Sequence, residues 1–356
     1  MFSAMKPLNS AGIIGDMLPT VKSEIKSILR KVVAPSHMSP VIANRVIDYY
    51  SHCLDYNIVG GKLSRARTVV EAYATCSRNP IASDSDEVRA AIVLGWAVEI
   101  MQAFFLIEDD VMDRGEFRRG RPCWYKVPDV GVANGINDGL LLEQVLYELI
   151  STNEYTKPFA LSAHSILRNA SMRTVVGQHL DTHPPSTDQY NRDQWLSVVR
   201  FKTAFYTFLL PCELGILVSG KSFTALDLQT FEKLTLLIGE LFQAQDDMLD
   251  CFSDPKIIGK VGRDIEEGKC TWLWYTAMDS SDFDKKAELL SLHASQDTKS
   301  VLRVKKIYKE LGIDLKFQQY TEKISSEISK EISNLQSSEL VSLSNWLLES
   351  IHNRKK

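Results

Sequence analysis

Between Phe104 and Asp113 an apolar run, Phe104-Phe105-Leu106-Ile107, ends in four acids within six residues: Glu108, Asp109, Asp110 and Asp113. On a helix, Asp109 and Asp113 lie one turn apart and share a face. Like charges this close repel, so the cluster destabilises the chain unless a cation sits against it. Hard carboxylate oxygens suit Mg²⁺, which takes one or two carboxylates and completes its shell with water and phosphate oxygens. Taken alone, such a cluster is as readily a solvated helix end. A second copy changes the balance: Asp246-Asp247-Met248-Leu249-Asp250 again follows an apolar, aromatic run, Leu241-Phe242-Gln243-Ala244-Gln245. Two such clusters facing each other would make a metal and diphosphate cage.

Basic residues recur beside these acids. Arg118 and Arg119 follow the first cluster, and arginine suits bidentate phosphate contacts. Lys202 lies in Phe201-Lys202-Thr203-Ala204-Phe205-Tyr206, an apolar aromatic segment where a lysine is costly without an anion. Gly60-Gly61-Lys62-Leu63-Ser64-Arg65 and Gly259-Lys260-Val261-Gly262-Arg263-Asp264 are loops whose backbone could close on phosphate. Gly177-Gln178-His179-Leu180-Asp181 sets Gln178 and Asp181 on one helical surface. Each of these alone is more often structural than functional.

The elements that must position them are helices. Residues 1–20, with Pro7, Gly12, Gly15 and Pro19, read as a flexible arm. Helical stripes follow over 21–33, 41–54 and from 69, and the run 88–107 is long and almost free of charge, so its helix should be buried nearly all round. Asp84, with Glu87 three residues on, reads as its cap. Asn137-Asp138 opens a helix to Ile150, and further stripes run 158–182, 192–219, 226–252, 265–279, 283–296, 298–312, 315–335 and 338–352. Strand alternation is scarce and no low-complexity linker divides the chain. The expectation is an all-α single domain spanning 21–356.

Composition narrows the classes further. With 41 Lys and Arg against 45 Asp and Glu the net charge is −4, which gives no general polycation for nucleic acid or anionic membrane. The six cysteines have no CxxC pairing and no metal-ligand spacing, as expected of reduced thiols. The N-terminus lacks the features of a secretory signal, and the stretch Ala204–Val218 is interrupted by Pro211 and Glu213. A soluble, cytoplasmic protein without stable membrane insertion is expected.

Together the motifs resemble those of the trans-prenyl diphosphate synthases, the farnesyl diphosphate synthases in particular, over residues 45–356. The matching stretches are Gly60-Gly61-Lys62-x-x-Arg65, Gln102, Phe104-Phe105 with Asp109-Asp110-x-x-Asp113, and Arg118-Arg119-Gly120-x-Pro122-Cys123-Trp124-Tyr125. They continue through Gly177-Gln178-x-x-Asp181, Lys202-Thr203-Ala204-Phe205-Tyr206, Gln243-x-Gln245-Asp246-Asp247-x-x-Asp250, Gly259-Lys260-x-Gly262-x-Asp264 and Lys269-Cys270-x-Trp272. The resemblance implies a class I isoprenoid synthase bundle around a central cavity, a homodimer, a prenyl diphosphate substrate and three Mg²⁺ per active site. It implies that Asp109, Asp113 and Asp246 ligate the metals, with Asp110, Asp247 and Asp250 supporting them. Arg118, Lys202, Thr203, Gln243 and Lys260 would bind the allylic diphosphate. Lys62, Arg65, Gln102 and Arg119 match the isopentenyl diphosphate pocket, aided by Arg354-Lys355-Lys356. Phe104, Phe105, Tyr206 and Phe242 would line the cavity, since ring faces attract cations without attacking them. Bulky rings at Phe104 and Phe105 imply a chain that stops at about fifteen carbons, going by the resemblance and pocket size.

The sequence also departs from the family pattern. Where the family has GGKxNRG, this chain has Ser64 and Ala66 in place of Asn and Gly; Gly115, Glu116 and Phe117 precede the arginine pair, Arg263 stands for Thr, and Gly268 for Asn. Several departures flank the isopentenyl pocket while both acidic motifs are intact. That asymmetry favours a Mg²⁺-dependent sesquiterpene synthase that ionises (2E,6E)-farnesyl diphosphate and releases a terpene, as certain insect enzymes on this scaffold do. Against it, Lys62, Arg65, Gln102 and Arg119 all remain. The alternative is therefore a farnesyl (or geranyl) diphosphate synthase that condenses isopentenyl diphosphate with an allylic partner. A non-catalytic modulating subunit would be free to lose metal ligands, and all six aspartates stand.

Overall fold

Apolar residues at helical spacing, closed off by short polar caps, make most of the described residues helical. The computed structural model describes residues 10–33, 38–77, 85–253 and 262–352. In order these give α1 (Ser10–Val33), α2 (Pro40–Ile58), α3 (Ser64–Cys76), α4 (Asp86–Met112), and a hairpin of β1 (Phe117–Arg118) and β2 (Arg121–Pro122). Then come α5 (Gly131–Thr152), α6 (Ala160–Thr182), α7 (Arg192–Val198), a π-helical stretch (Val199–Leu209), α8 (Leu210–Ser219) and α9 (Ala225–Phe252). The chain closes with α10 (Trp272–Ser280), α11 (Phe283–Leu292), α12 (Thr298–Glu310), α13 (Ile313–Asn334) and α14 (Ser338–His352).

The caps explain most boundaries. Ser39, Asn191, Thr224, Thr271, Asp282 and Asp297 each accept a backbone N–H of the first turn that follows. For α4 the cap is Ser85, whose Oγ accepts the Val88 N–H at 3.2 Å; Asp84, expected in that role, lies outside the described residues. The arm expected over 1–20 is helical from Ser10 onward. Its apolar stripe continues through Ile14 into Val21 and Ile25, all buried, and the Ile14 carbonyl accepts the Trp96 indole N–H at 3.1 Å. Asn137 and Asp138 lie inside α5 rather than at its start, because Asp138 is buried and accepts Tyr49 Oη–H at 2.7 Å and Trp124 Nε1–H at 2.8 Å. The helix expected from 265 begins only at Trp272, since Gly268 at φ +67° breaks the preceding turn.

The chain divides into two compact units, Met1–Arg168 with Leu210–Ser222, and Asn169–Leu209 with Phe223–Lys356. The first is built on α4, which is long and apolar enough to cross a membrane by length and composition but is mostly buried within the fold. Helices α3 and α5 pack on α4, and α8 packs on α3. The second unit packs α9 against the π-helical stretch, with Trp195, Trp272, Trp274 and Tyr308 in its core.

The α3–α8 contact is tight enough to predict from. A Cβ at Gly215 would sit 2.4 Å from the Val69 carbonyl oxygen and 2.6 Å from Ala72 Cβ. In an exposed helix Gly→Ala stabilises by about 1 kcal/mol. Here overpacking should dominate, and Gly215→Ala should destabilise by about 1–3 kcal/mol, read as a lower thermal midpoint.

Candidate active site

In the first unit, α4 carries the first acidic cluster to its C-terminal end, where Asp113 is the cap residue and its N–H bonds the Asp109 carbonyl at 2.8 Å. The four acids have separate surroundings. Asp110 is buried and receives Arg118 in a fork, with Nε 2.7 Å from Oδ2 and Nη2 2.6 Å from Oδ1. The same Nη2 reaches Asp109 Oδ2 at 3.3 Å. Burial opposes the charge on Arg118, but Asp110 and Asp109 more than offset it and hold its pKa above the usual value. Glu108 turns toward Gly139 of α5, and burial pushes its carboxyl up to about 7. Asp109 and Asp113 remain half-buried.

The hairpin sends its two adjacent arginines to different places. Both turn residues, Arg119 (φ 54°) and Gly120 (φ 72°), are left-handed, as a two-residue hairpin turn requires. Arg118 returns to the acids, while Arg119 donates to the Asn57 carbonyl at 2.9 Å and lies against Gly61. Arg65 is buried at the start of α3, Gln102 is half-buried on α4, and Lys62 is exposed. Glu99 joins this group. It is buried on α4 and accepts the backbone N–H groups of Arg65 (3.2 Å) and Ala66 (3.1 Å). The sequence held one signal for it: a lone acid within the apolar stretch from Ala90 to Ile107, which needs a partner once buried. The rings of Phe104 and Phe105 touch with centroids 4.2 Å apart.

In the second unit, Lys202 and Thr203 sit on the π-helical stretch, a geometry often found at functional sites. Lys202 Nζ is 2.7 Å from Asp181 Oδ2, and so is Lys269 Nζ, giving two ammoniums on one mostly buried carboxylate. Burial would raise the Asp181 pKa, but the two lysines lower it on balance. The stabilisation from this triad is therefore present above the carboxylate's unfolded pKa and lost as pH falls through the lower folded value. Lys269 belongs to a recognised motif but was not singled out by sequence as a site residue.

The second acidic cluster lies on α9. Asp247 is fully engaged by protein donors: Trp195 Nε1–H (3.0 Å) and the Trp272 backbone N–H (2.7 Å) on Oδ2, and Gln243 Nε2–H (2.9 Å) on Oδ1. Thr203 Oγ1 in turn donates to Gln243 Oε1 at 3.2 Å. Asp250 accepts the Asp264 N–H at 3.1 Å, and Asp246 is half-buried. Tyr206 is buried, and Phe242 meets Phe208 edge-on. Lys260 and Arg354-Lys355-Lys356 lie outside the described residues.

Among the described residues no three His, Cys, Asp or Glu side chains converge to hold a metal by themselves. In each unit the cluster carboxylates, Asp109 and Asp113 in the first and Asp246 in the second, are hard oxygen donors of the kind that suits Mg²⁺ sharing its shell with water and phosphate.

The departures from the family pattern are accommodated without dismantling these sites. Ser64 is the exposed first residue of α3, and Ala66 is buried against Gly95 of α4. Gly268, at φ +67°, is left-handed, and a Cβ there would lie 2.9 Å from Ala294 Cβ, so this packing is built for glycine. Arg263 lies near Glu267 at 3.8 Å, and Phe117 is exposed in the hairpin.

A model of the polyprenyl synthetase family matches residues 47–311. The chain belongs to that family. Farnesyl pyrophosphate synthase of Saccharomyces cerevisiae is 34% identical over 297 residues, which cover 82% of this chain and 84% of the yeast protein. The Kluyveromyces lactis farnesyl pyrophosphate synthase is 31% identical over 96% of this chain and 97% of its own length. The solved structure of T. brucei farnesyl diphosphate synthase complexed with risedronate is 31% identical, covers 96% of this chain and 100% of that one, and superposes with a TM-score of 0.86. The fold is thus the all-helical isoprenoid synthase fold, and the protein is an enzyme of the prenyl synthetase family. These relatives favour the condensing alternative over the terpene synthase expected from the loop departures.

The Asp247 clamp yields a prediction. Trp195→Phe keeps an aromatic ring but removes one of three donors and part of a buried indole, and should lower stability by about 1–3 kcal/mol. Because Asp246 is the next residue, the same variant should raise the Mg²⁺ concentration needed for half-maximal turnover. Thermal melts and a Mg²⁺ titration of rate check both.

Proposed function

We propose that this enzyme is a Mg²⁺-dependent trans-prenyltransferase that joins isopentenyl diphosphate to dimethylallyl or geranyl diphosphate and stops at farnesyl diphosphate. The observation that carries the reading is the built state of the isopentenyl group: Arg65 buried at a capped helix start, and Arg119 held by the Asn57 carbonyl beside Gly61. A protein that had given up the second substrate would have no use for this arrangement.

The allylic C1–O bond breaks and its electron pair leaves with the diphosphate. The alkene of isopentenyl diphosphate attacks C1, and a proton lost from the isopentenyl unit, taken up by the departing diphosphate, restores a double bond. Mg²⁺, when bound, neutralises charge on the leaving diphosphate. Asp109, Asp113 and Asp246 are the ligands we assign to it, with Asp110, Asp247 and Asp250 holding the surrounding backbone and side chains in register. Arg118, Lys202, Lys260 and Lys269 bind the allylic diphosphate, and Thr203 and Gln243 support Lys202 and Asp247. Phe104, Phe105, Tyr206 and Phe242 keep water from the cation and limit chain length.

The homodimer implied by the family is supported by an unpartnered stripe on α5: Val132, Ile136 and Leu140, one turn apart, are 50%, 41% and 56% exposed.

The test is to incubate the purified protein with Mg²⁺, isopentenyl diphosphate and geranyl diphosphate and to follow products by mass spectrometry. Farnesyl diphosphate is expected. A hydrocarbon or alcohol formed from farnesyl diphosphate alone, with isopentenyl diphosphate left unconsumed, would restore the terpene synthase reading. Phe104→Ala with Phe105→Ala should extend the product beyond fifteen carbons by at least one five-carbon unit, roughly as removal of one bulky wall permits.

A further inference from the structure

The first turn of α3 has no cap of its own. Leu63, its N-cap residue, is left-handed at φ 49° and has no side-chain oxygen to offer the N–H groups that follow. Buried N–H groups at a helix start need acceptors. Glu99, 5% exposed in the middle of α4, supplies one, with Oε1 3.2 Å from the Arg65 nitrogen and 3.1 Å from the Ala66 nitrogen. It reaches them because Gly95, one turn earlier, lets the two helices close: a Cβ there would lie 3.0 Å from Ala66 Cα. The same carboxylate acts on Arg119, opposing the drop in pKa that burial imposes on that guanidinium. Gln102, three residues on, shares its side of α4.

In terms of charge alone, an acid among Lys62, Arg65 and Arg119 is out of place, since it weakens attraction for a diphosphate. Burying it in an apolar helix is a further cost. What it contributes is therefore the geometry it holds. A carboxylate at a helix N-terminus is favoured by the helix dipole and by charge-assisted N–H bonds.

We propose that Glu99 is a positioning residue for isopentenyl diphosphate: it fixes the first turn of α3 and with it the direction from which Arg65 meets the second substrate. Glu99 touches no reacting atom. The proposal rests on the chain-elongating reading and can be separated from it experimentally.

The experiment measures isopentenyl diphosphate binding by calorimetry and, in parallel, KM for both substrates with geranyl diphosphate as the allylic partner. Glu99→Gln keeps an acceptor oxygen and should stay within about threefold of wild type, whereas Glu99→Ala, which removes it, should raise Kd and KM for isopentenyl diphosphate by roughly tenfold. Glu99→Asp, one methylene too short to reach both N–H groups, should behave like Ala and carries the test if Ala fails to fold. KM for geranyl diphosphate should stay within about twofold in every variant, a split that general loss of structure would not produce. An unchanged Kd in Ala or Asp, a parallel rise of both KM values, or a wild-type protein that does not bind isopentenyl diphosphate would overturn the proposal. If binding shows this pattern but no longer chain is released, the elongation reading fails and the positioning role stands.

Discussion

Carboxylates set close together repel, and the site regions of this protein are organised around what holds each one. Arg118 forks onto Asp110, two indole-bearing residues and a glutamine close on Asp247, two lysines share Asp181, and Glu99 is spent on the N-terminus of α3. An acid with its oxygens already committed to protein donors is a poor metal ligand but a good fastener. Asp110 and Asp247 are held in this way, which supports the proposal that they fasten the site while other acids of the two clusters meet Mg²⁺.

Much of this was legible in the sequence. The two acidic motifs, the long and almost uncharged run ending in the first of them, and the lysine in an aromatic segment each signal an unusual arrangement of charge. Helical periodicity located most of the helices. Boundaries failed where a side chain had a competing use: Asp138 serves Tyr49 and Trp124 inside α5, and Ser85 is the cap where Asp84 was expected.

Other features could not be read from a linear chain. Nothing in Arg118-Arg119 says that a two-residue turn sends the neighbours to different tasks. Nothing in Glu99 says which backbone it serves, because its partners are more than thirty positions away in the chain. The substitutions around the basic loop looked like losses when compared letter by letter. In three dimensions Ala66 fills the space left by Gly95, and Gly268 takes a left-handed turn where a Cβ would lie 2.9 Å from Ala294 Cβ, so the smaller residue fits this packing. Departure from a pattern is evidence of altered function only when the replaced contact has no substitute.

The central claim is that ligand and fastener aspartates are distinct, and counting bound metal tests it most directly. Equilibrium dialysis of Mn²⁺ with inorganic diphosphate should give fewer bound ions for Asp109→Asn and for Asp246→Asn than for the unaltered enzyme. Asp247→Asn should retain the full number. Loss of an ion from Asp247→Asn, or an identical count in all three variants, would contradict the account.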